Sequence, residues 1–350
     1  MSYKWKFIIN PNSGSQQCAK RWKEAEEVVK KQEIDYDVSF TSGPKQANIF
    51  AEEAVKNGFN RIVVASGDGT LNEVVNGLMN LSPEQRKEVA LGVLPFGTGN
   101  DYATTLGFPW NPKNAIDVLF NKSEISPASI GKIHLVDTGY ERYFINLLDA
   151  GISSEVGLGN KKGELKFIKS ASRYTLLALK KLVTMKQRKA VVTIDDEKKY
   201  NVRLMLLIFG NGISLGGGMI GCPDAHPQKE LFDFFLTENF TKLRTLKGLM
   251  KIFNGEHLKI KGGIYSTAKK IEVELEDAIP FVCDGELDIP ESISTHLIGE
   301  IIPHAINVLY YRDHKSIKWL SREELDKGLR PLKNQYLVPH SEFRKWQEKN

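Results

Sequence analysis

No apolar run in this chain approaches the roughly 18 residues that a helix needs to cross a bilayer. The longest, Leu204–Phe209, spans six residues. The N-terminus passes from Lys4 and Lys6 straight into Phe7, Ile8 and Ile9, with neither the apolar core nor the small-residue cleavage site of a secretory leader. Cysteine is scarce. Cys18, Cys222 and Cys283 are odd in number and scattered, which argues against a disulfide framework or a spaced zinc site. The seven histidines are equally dispersed and suggest no metal cluster. Internal repeats and low-complexity segments are also missing. What is present is an ordinary globular composition: 350 residues, 41% apolar and 26% charged, with a mean hydropathy of −0.30. That length accommodates two domains of roughly 100–200 residues each. The expectation is a soluble, cytoplasmic protein.

Charge is unevenly placed. Residues 161–189 carry ten Lys/Arg against Glu164 alone, a net +9. Residues 312–350 carry ten bases and six acids, and the other 282 residues are left at −8. An acidic body with one intensely basic segment suggests a charged partner at one face.

The first part alternates strand and helix patterns. Strands are expected at residues 6–9, 36–40, 61–65 and 91–95, and helices at 19–31, 45–57 and 71–79. Apolar strands alternating with helices imply a parallel sheet covered on both faces, with ligands at the C-terminal ends of its strands. From about Gly131 the pattern changes to strands separated by Gly, Asn and Asp turns, at 132–137, 142–146, 190–194, 202–209, 232–237, 271–275 and 279–283. One basic helix, 165–186, interrupts them, and 301–309 reads as helix again. The fold class expected is α/β plus all-β. An N-terminal parallel-sheet α/β domain (1–130, with a returning segment near 295–325) joins an antiparallel sandwich-like domain (131–294), and a tail of open role follows at 326–350.

Three polar, glycine-containing loops follow three of the parallel strands. They are Asn10-Pro11-Asn12-Ser13-Gly14-Ser15, Ser66-Gly67-Asp68-Gly69-Thr70-Leu71-Asn72-Glu73, and Pro95-Phe96-Gly97-Thr98-Gly99-Asn100-Asp101. Glycines let the backbone approach a ligand closely, and amides at a helix start point at an anion. Asp68 in such a loop suits a magnesium ion shared with phosphates. Any one loop alone is more simply a tight turn, but three at the strand ends of one sheet should converge on a single cleft.

With Asn211-Gly212, Gly216-Gly217-Gly218, Pro223-Asp224-Ala225 and Asp284-Gly285-Glu286 following in order, these motifs resemble the diacylglycerol kinase family, over about residues 5–310. That family includes bacterial soluble lipid kinases, sphingosine kinases and ceramide kinases. The resemblance implies an enzyme of phospholipid metabolism that transfers the γ-phosphate of ATP, with Mg2+, to a lipid hydroxyl such as that of diacylglycerol. It places Asn10, Pro11, Asn12, Ser13 and Gly14, then Ser66 through Glu73, then Gly97, Thr98, Gly99, Asn100 and Asp101 along the nucleotide, with Thr41 as a further ATP contact. It makes Glu286 the proton acceptor, with Asp68 as the magnesium residue and Asp284 lending charge or shaping the turn. Spacing alone would read Asp284-Gly285 as a hairpin turn.

Two departures from the family pattern stand out. Ser66 replaces the usual first glycine of Gly-Gly-Asp-Gly-Thr. After Pro223-Asp224-Ala225, where bacterial members carry an Asp-Asp-Gly whose second Asp holds a structural magnesium, this chain has Lys229 and then Glu230. An ammonium cannot ligate a cation, so that metal site is expected to be absent, with Lys229 supplying positive charge to Glu230 or Asp224.

The basic helix places cations beside an apolar stripe, as a membrane-surface helix does, and Lys166, Lys169, Arg173, Lys180 and Lys181 are its candidate contacts with an anionic, lipid-bearing membrane. A core helix with a solvated basic face fits the same pattern. Nucleic acid is not an expected partner, since aromatics are not interleaved with the bases. Two other functions stay open: a kinase of the NAD-phosphorylating type, and a non-catalytic nucleotide- or lipid-binding protein. A homodimer also stays open.

Overall fold

The structure, a computed structural model, describes residues 3–166, 168, 170–312 and 317–331, with the side chains of residues 170–175 and 322 outside that description. The N-terminal half is built on four strands: β1 (Lys4–Ile9), β2 (Asp35–Phe40), β3 (Arg61–Ser66) and β4 (Ala90–Pro95). All pair in parallel, in the order β4-β3-β1-β2. β3 and β4 are buried along their whole length, as continuous apolar runs in a doubly covered sheet should be. A single turn, α1 (Ser13–Gln16), precedes α2 (Cys18–Val29). α3 (Gln46–Lys56), α4 (Asp68–Met79), α5 (Pro83–Lys87), α6 (Asp101–Thr105) and α7 (Pro112–Asp117) complete this half. α4 starts directly after β3, at Asp68 rather than at residue 71, so the second glycine loop forms the helix's first turn.

The second half contains β5 (Ser123–Leu135), β6 (Tyr140–Phe144), β7 (Leu147–Gly151), α8 (Ile152–Lys161) and α9 (Ser170–Thr184). Then come β8 (Arg188–Ile194), β9 (Lys198–Leu204), β10 (Leu206–Gly210), the two-residue strands β11 (Ser214–Leu215) and β12 (Met219–Ile220), and β13 (Phe232–Thr237). α10 (Lys242–Lys251), β14 (Gly263–Ala268), β15 (Lys270–Cys283), β16 (Ile293–Tyr311) and α11 (Arg322–Asp326) close the described chain. Its sheet is antiparallel, β14-β13-β10-β7-β15-β16, around a core in which Phe144, Phe209 and Phe232 meet edge-on or stacked at 5.3–5.8 Å between centroids.

Residues 301–309 are strand, not helix. Ile301, Ile302, Ile306 and Val308 are β-branched, and Pro303 is absorbed by a register shift between Ile302 and Ile306, where His304 adopts a φ of 49°. Beyond that irregularity β16 runs on beside β4 in parallel, pairing Asn307 with Ala90 and Val308 with Leu91. Hydrogen bonding is therefore continuous from one half to the other, through β5 and β16. Cross-strand pairing also brings His296 against Glu272 and Glu274, with ligating atoms within 4.8 Å, a proximity hidden by their sequence separation.

The end of the returning segment packs onto the body. Trp319 is buried and stacks on Tyr310 at 4.2 Å, with His226 at 4.8 Å, and the His226 ring bonds the Lys318 carbonyl at 3.0 Å. Lys229 finds neither expected carboxylate. Its ammonium lies on the Asp233 carboxylate at 2.8 Å and donates to the backbone carbonyl of Asp224, while Glu230 pairs with Arg330 at 2.6 Å. Asp233 lies four residues beyond Lys229, on the adjoining β13, which puts a buried carboxylate within its reach.

Candidate active site

Glycine decides how closely the three loops can meet. A Cβ on Gly67 would lie 3.1 Å from Ser13 Oγ and 3.2 Å from Gly97 Cα, and one on Gly97 would lie 2.9 Å from Gly67 N. Gly14, at φ +60°, faces the Phe96 carbonyl with no room for a side chain. The first, second and third loops thus touch backbone to backbone at the C-terminal edge of the sheet. They open on a cleft of about 740 Å³.

Of the sequence-derived candidates, Asn10, Asn12, Ser13, Thr41, Gly67, Gly69, Thr70, Glu73 and Glu286 line this cleft. The N-terminus of α4 opens into it through Gly69 and Thr70, so the positive end of a twelve-residue helix faces the cleft. Glu286 arrives from the other half of the molecule. Asp284 and Gly285 both have positive φ, 51° and 81°, and form the two-residue turn that returns the chain so that Cys283 and Glu286 pair. The Glu286 carboxylate lies over Gly69, where a Cβ would come within 2.9 Å of Cδ and closer still to Oε1. Burial raises the Glu286 pKa, while Arg142 and Lys161 pull it back.

Other candidates stand behind or outside the cleft. Asp68 does not line the cleft: its carboxylate turns onto the third loop, accepting from Tyr102 N at 3.2 Å. Asp68 Oδ2 and Asp101 Oδ2 lie 3.0 and 3.1 Å from the position a Cβ on Gly99 would take. Burial, and then the neighbouring Asp68, push the Asp101 carboxyl up to about 7. Asp101 also accepts from Ser214 Oγ at 2.8 Å and Gly217 N at 2.9 Å, tying the third loop to the glycine-rich turn of the second half. Asn100 closes its own loop through Gly97 N at 2.8 Å, and Thr98 sits exposed at the loop tip. Ser66 is buried against Thr70 Oγ1 at 2.9 Å, Leu71 belongs to the apolar core, and Pro11 and Gly14 shape their turn without facing the cleft.

Asn72 does not line the cleft either. It is fully buried and spans the two halves. Its Nδ2 donates to Asp284 Oδ2 at 2.8 Å and to the Tyr143 carbonyl at 3.0 Å, and its Oδ1 accepts from Arg142 Nε at 2.8 Å. Asp284 in turn accepts from the amides of Ile145, Asn146 and Leu147 at 2.9–3.0 Å, yet burial still lifts it to about 6. Asp284 therefore positions the turn rather than presenting charge to the cleft. Glu73 reaches the cleft but spends its oxygens on Lys45 N at 2.9 Å and Ala47 N at 3.2 Å, capping α3.

The motifs do not contain Lys45, Arg142, Lys161 or Asp288, all of which line the cleft. Arg142 forms an ion pair with Asp288 and bonds the Tyr140 hydroxyl at 3.1 Å. Burial alone would raise Asp288, but the Tyr140 hydroxyl and the Arg142 guanidinium hold it below the usual carboxylate range. Lys161, at the end of α8, donates to the Leu287 carbonyl. Asp288 was within reach of sequence reading, two residues past Glu286. Arg142, on a short strand, left no such signal.

On the basic helix part of the charge is paired within the protein. Lys180 and Lys181 both fall on Glu164, and Lys181 also reaches Glu155 at 3.5 Å with only 14% of its side chain exposed. Their charge is thus largely spent within the protein. Lys166 is exposed, and Lys169 and the Arg173 side chain lie outside the described residues.

Residues 4–133 match the diacylglycerol kinase catalytic domain, and residues 147–310 match the YegS C-terminal NAD kinase beta sandwich-like domain. A "probable lipid kinase YegS-like" of Chromohalobacter salexigens is 34% identical over 238 residues, covering 67% of this chain and 72% of the relative. A diacylglycerol kinase of Staphylococcus carnosus is 28% identical over 284 residues, covering 80% and 88%. The crystal structure of a diacylglycerol kinase from Bacillus anthracis str. Sterne superposes with a TM-score of 0.66 at 20% identity, over 88% of this chain and 96% of that one, a likeness of fold. Two matched domains in the same order, on a cleft assembled from both, carry one conclusion: the chain belongs to the lipid kinase family of YegS-like and diacylglycerol kinases.

Proposed function

We propose that this protein transfers the γ-phosphate of MgATP to the hydroxyl of a membrane lipid, diacylglycerol or a close analogue, at the bilayer surface. One observation carries the reading: a half-desolvated carboxylate, Glu286, is delivered by one domain onto the first turn of α4 in the other. Phosphoryl transfer to an alcohol needs a base at the acceptor oxygen and positive potential around the phosphates. Glu286 supplies the first, with burial moving it toward the working pH. The α4 N-terminus, Lys45, Arg142 and Lys161 supply the second.

Magnesium fits the donors at hand. Asp288 in the cleft and the Asp68–Asp101 pair beneath it offer the hard oxygens that this ion takes. The mutual repulsion that helps hold Asp101 near 7 is the kind of strain a cation relieves. When bound, the ion would supply charge neutralisation to the phosphates.

The test is a phosphorylation panel with γ-labelled ATP, presenting diacylglycerol, ceramide and sphingoid bases in mixed micelles, and NAD in solution. Label should appear on a lipid, and Glu286→Gln should lower turnover by at least about 10²-fold while the protein remains folded. Label on NAD alone, no label on any acceptor, or a fully active Glu286→Gln would overturn the reading.

A further inference from the structure

α10 presents an apolar face to solvent that no motif predicted. One side of the helix packs inward, with Thr245 buried and Leu246 and Leu249 lodged against the cluster that holds Leu206, Phe235 and Phe240. The other side carries Leu243 and Met250, seven residues apart and therefore on one face, at 62% and 64% exposure, with Lys247 between them. Phe253, in the turn that follows, is 48% exposed. The helix contains Lys242, Arg244, Lys247 and Lys251 and no acid. Among the described residues, Lys242, Arg244 and Lys247 meet no carboxylate. Lys251 alone reaches one, Glu256 at 3.7 Å.

This face continues onto α9. The Lys242 ammonium donates to the carbonyl of Val183, and Gln187 donates to that of Phe240, so the end of α9 is fastened to the start of α10. Val183 is 68% exposed at that junction. A single exposed leucine or methionine needs no explanation, but several along one seam, edged by unneutralised cations, mark a docking surface. The arrangement of apolar side chains flanked by bases matches an anionic lipid surface, where the chains enter the acyl boundary and the cations stay with the headgroups. Among the described side chains, Lys180 and Lys181 of α9 are answered by Glu155 and Glu164, whereas Lys242, Arg244 and Lys247 of α10 are not paired with a carboxylate.

We propose that α10, continued by the exposed end of α9, is the surface that docks this enzyme on an anionic phospholipid bilayer. The proposal rests on the lipid kinase reading for its biological sense, but its test does not. Sedimentation of the full chain with phosphatidylcholine vesicles, with and without phosphatidylglycerol, should show binding that depends on the anionic lipid. Arg244→Glu with Lys247→Glu, and separately Leu243→Ser with Met250→Ser, should each lower the partition coefficient, the charge pair by about 100-fold or more. Both variants should keep wild-type turnover on a short-chain acceptor dispersed in detergent. A dye attached through Met250→Cys gives a direct readout, because the three native cysteines are buried. Its emission should shift to the blue on anionic vesicles. Unchanged sedimentation of both double variants, or no dye shift on vesicles that bind the protein, overturns the proposal. So does a dimer that Leu243→Ser with Met250→Ser converts to monomer without altering vesicle binding. Failure of the lipid kinase reading would show separately, as wild-type protein that binds vesicles and phosphorylates no lipid.

Discussion

Gly69→Ala separates the chemistry of this cleft from its stability. Gly69 sits in the first turn of α4, where exchange of glycine for alanine favours the helix by up to about 1 kcal/mol. The same methyl group would stand 2.9 Å from Glu286 Cδ, against the roughly 3.5–4.0 Å that carbon atoms prefer. The obstacle is the end of a flexible side chain and not backbone, so the helix stays and the carboxylate retreats by about 1 Å. Displacing a reacting group by that much costs about 10²-fold in rate, equivalent to roughly 2.7 kcal/mol of barrier. The expected result is a melting temperature at or above wild type with turnover reduced about a hundredfold. Gly157→Ala is the control. It lies in α8, its nearest neighbour would be Val282 Cγ2 at an ordinary 3.7 Å, and it should gain helix stability without losing rate. Steady-state kinetics and thermal melts of the three proteins decide the matter. A Gly69→Ala enzyme within threefold of wild-type turnover would refute the placement of Glu286 as the base.

Asp149 and Lys229 give two further predictions. Asp149 is buried on β7 with Oδ1 unpartnered, and burial pushes its carboxyl up to about 7 from an ordinary 3.8. The folded form therefore binds the proton more tightly than the unfolded one, and stability is lost as pH rises from about 4 to 7. Asp149→Asn should raise the melting temperature at pH 8, by the equivalent of up to about 4 kcal/mol, and change little at pH 4. Equal effects at both pH values would count against this account. Lys229→Met leaves the Asp233 carboxylate buried without its cation, which should destabilise the fold by about 3–5 kcal/mol. Thermal melts of the wild type and Lys229→Met check this, and a loss below about 1 kcal/mol would contradict it.

Most of the strands and all three loops could be read from the sequence, because apolar runs and glycine turns are local properties. Residues 301–309 could not. Their apolar content fits a helix as well as a strand until Pro303 and the β-branched pairs around it are weighed, and the partner that settles the choice, β5, lies about 180 residues earlier. Lys161 was visible only as one of ten bases in a run. The turn at the end of α8 sends it into the cleft, while Lys180 and Lys181 fold onto Glu164.

The site shows a more general limit. Eight successive residues from Ser66 to Glu73 form one motif, but a helix advances about 100° per residue, so they cannot all face one ligand. Gly69, Glu73 and Asn76, at helical spacing, reach the cleft, while Leu71 enters the core and Asp68 turns beneath the third loop. Asn72 lies on the same side as Gly69 and Asn76, but it is covered by the second half of the molecule. Its partner Asp284 is 212 residues away. With Arg142 on the opposite side of the same amide, Asn72 fixes the turn that carries Glu286 relative to the helix that opens into the cleft. One motif can therefore serve two ends at once, lining the cleft and aligning the domain that carries Glu286. Only the placement of each side chain separates them.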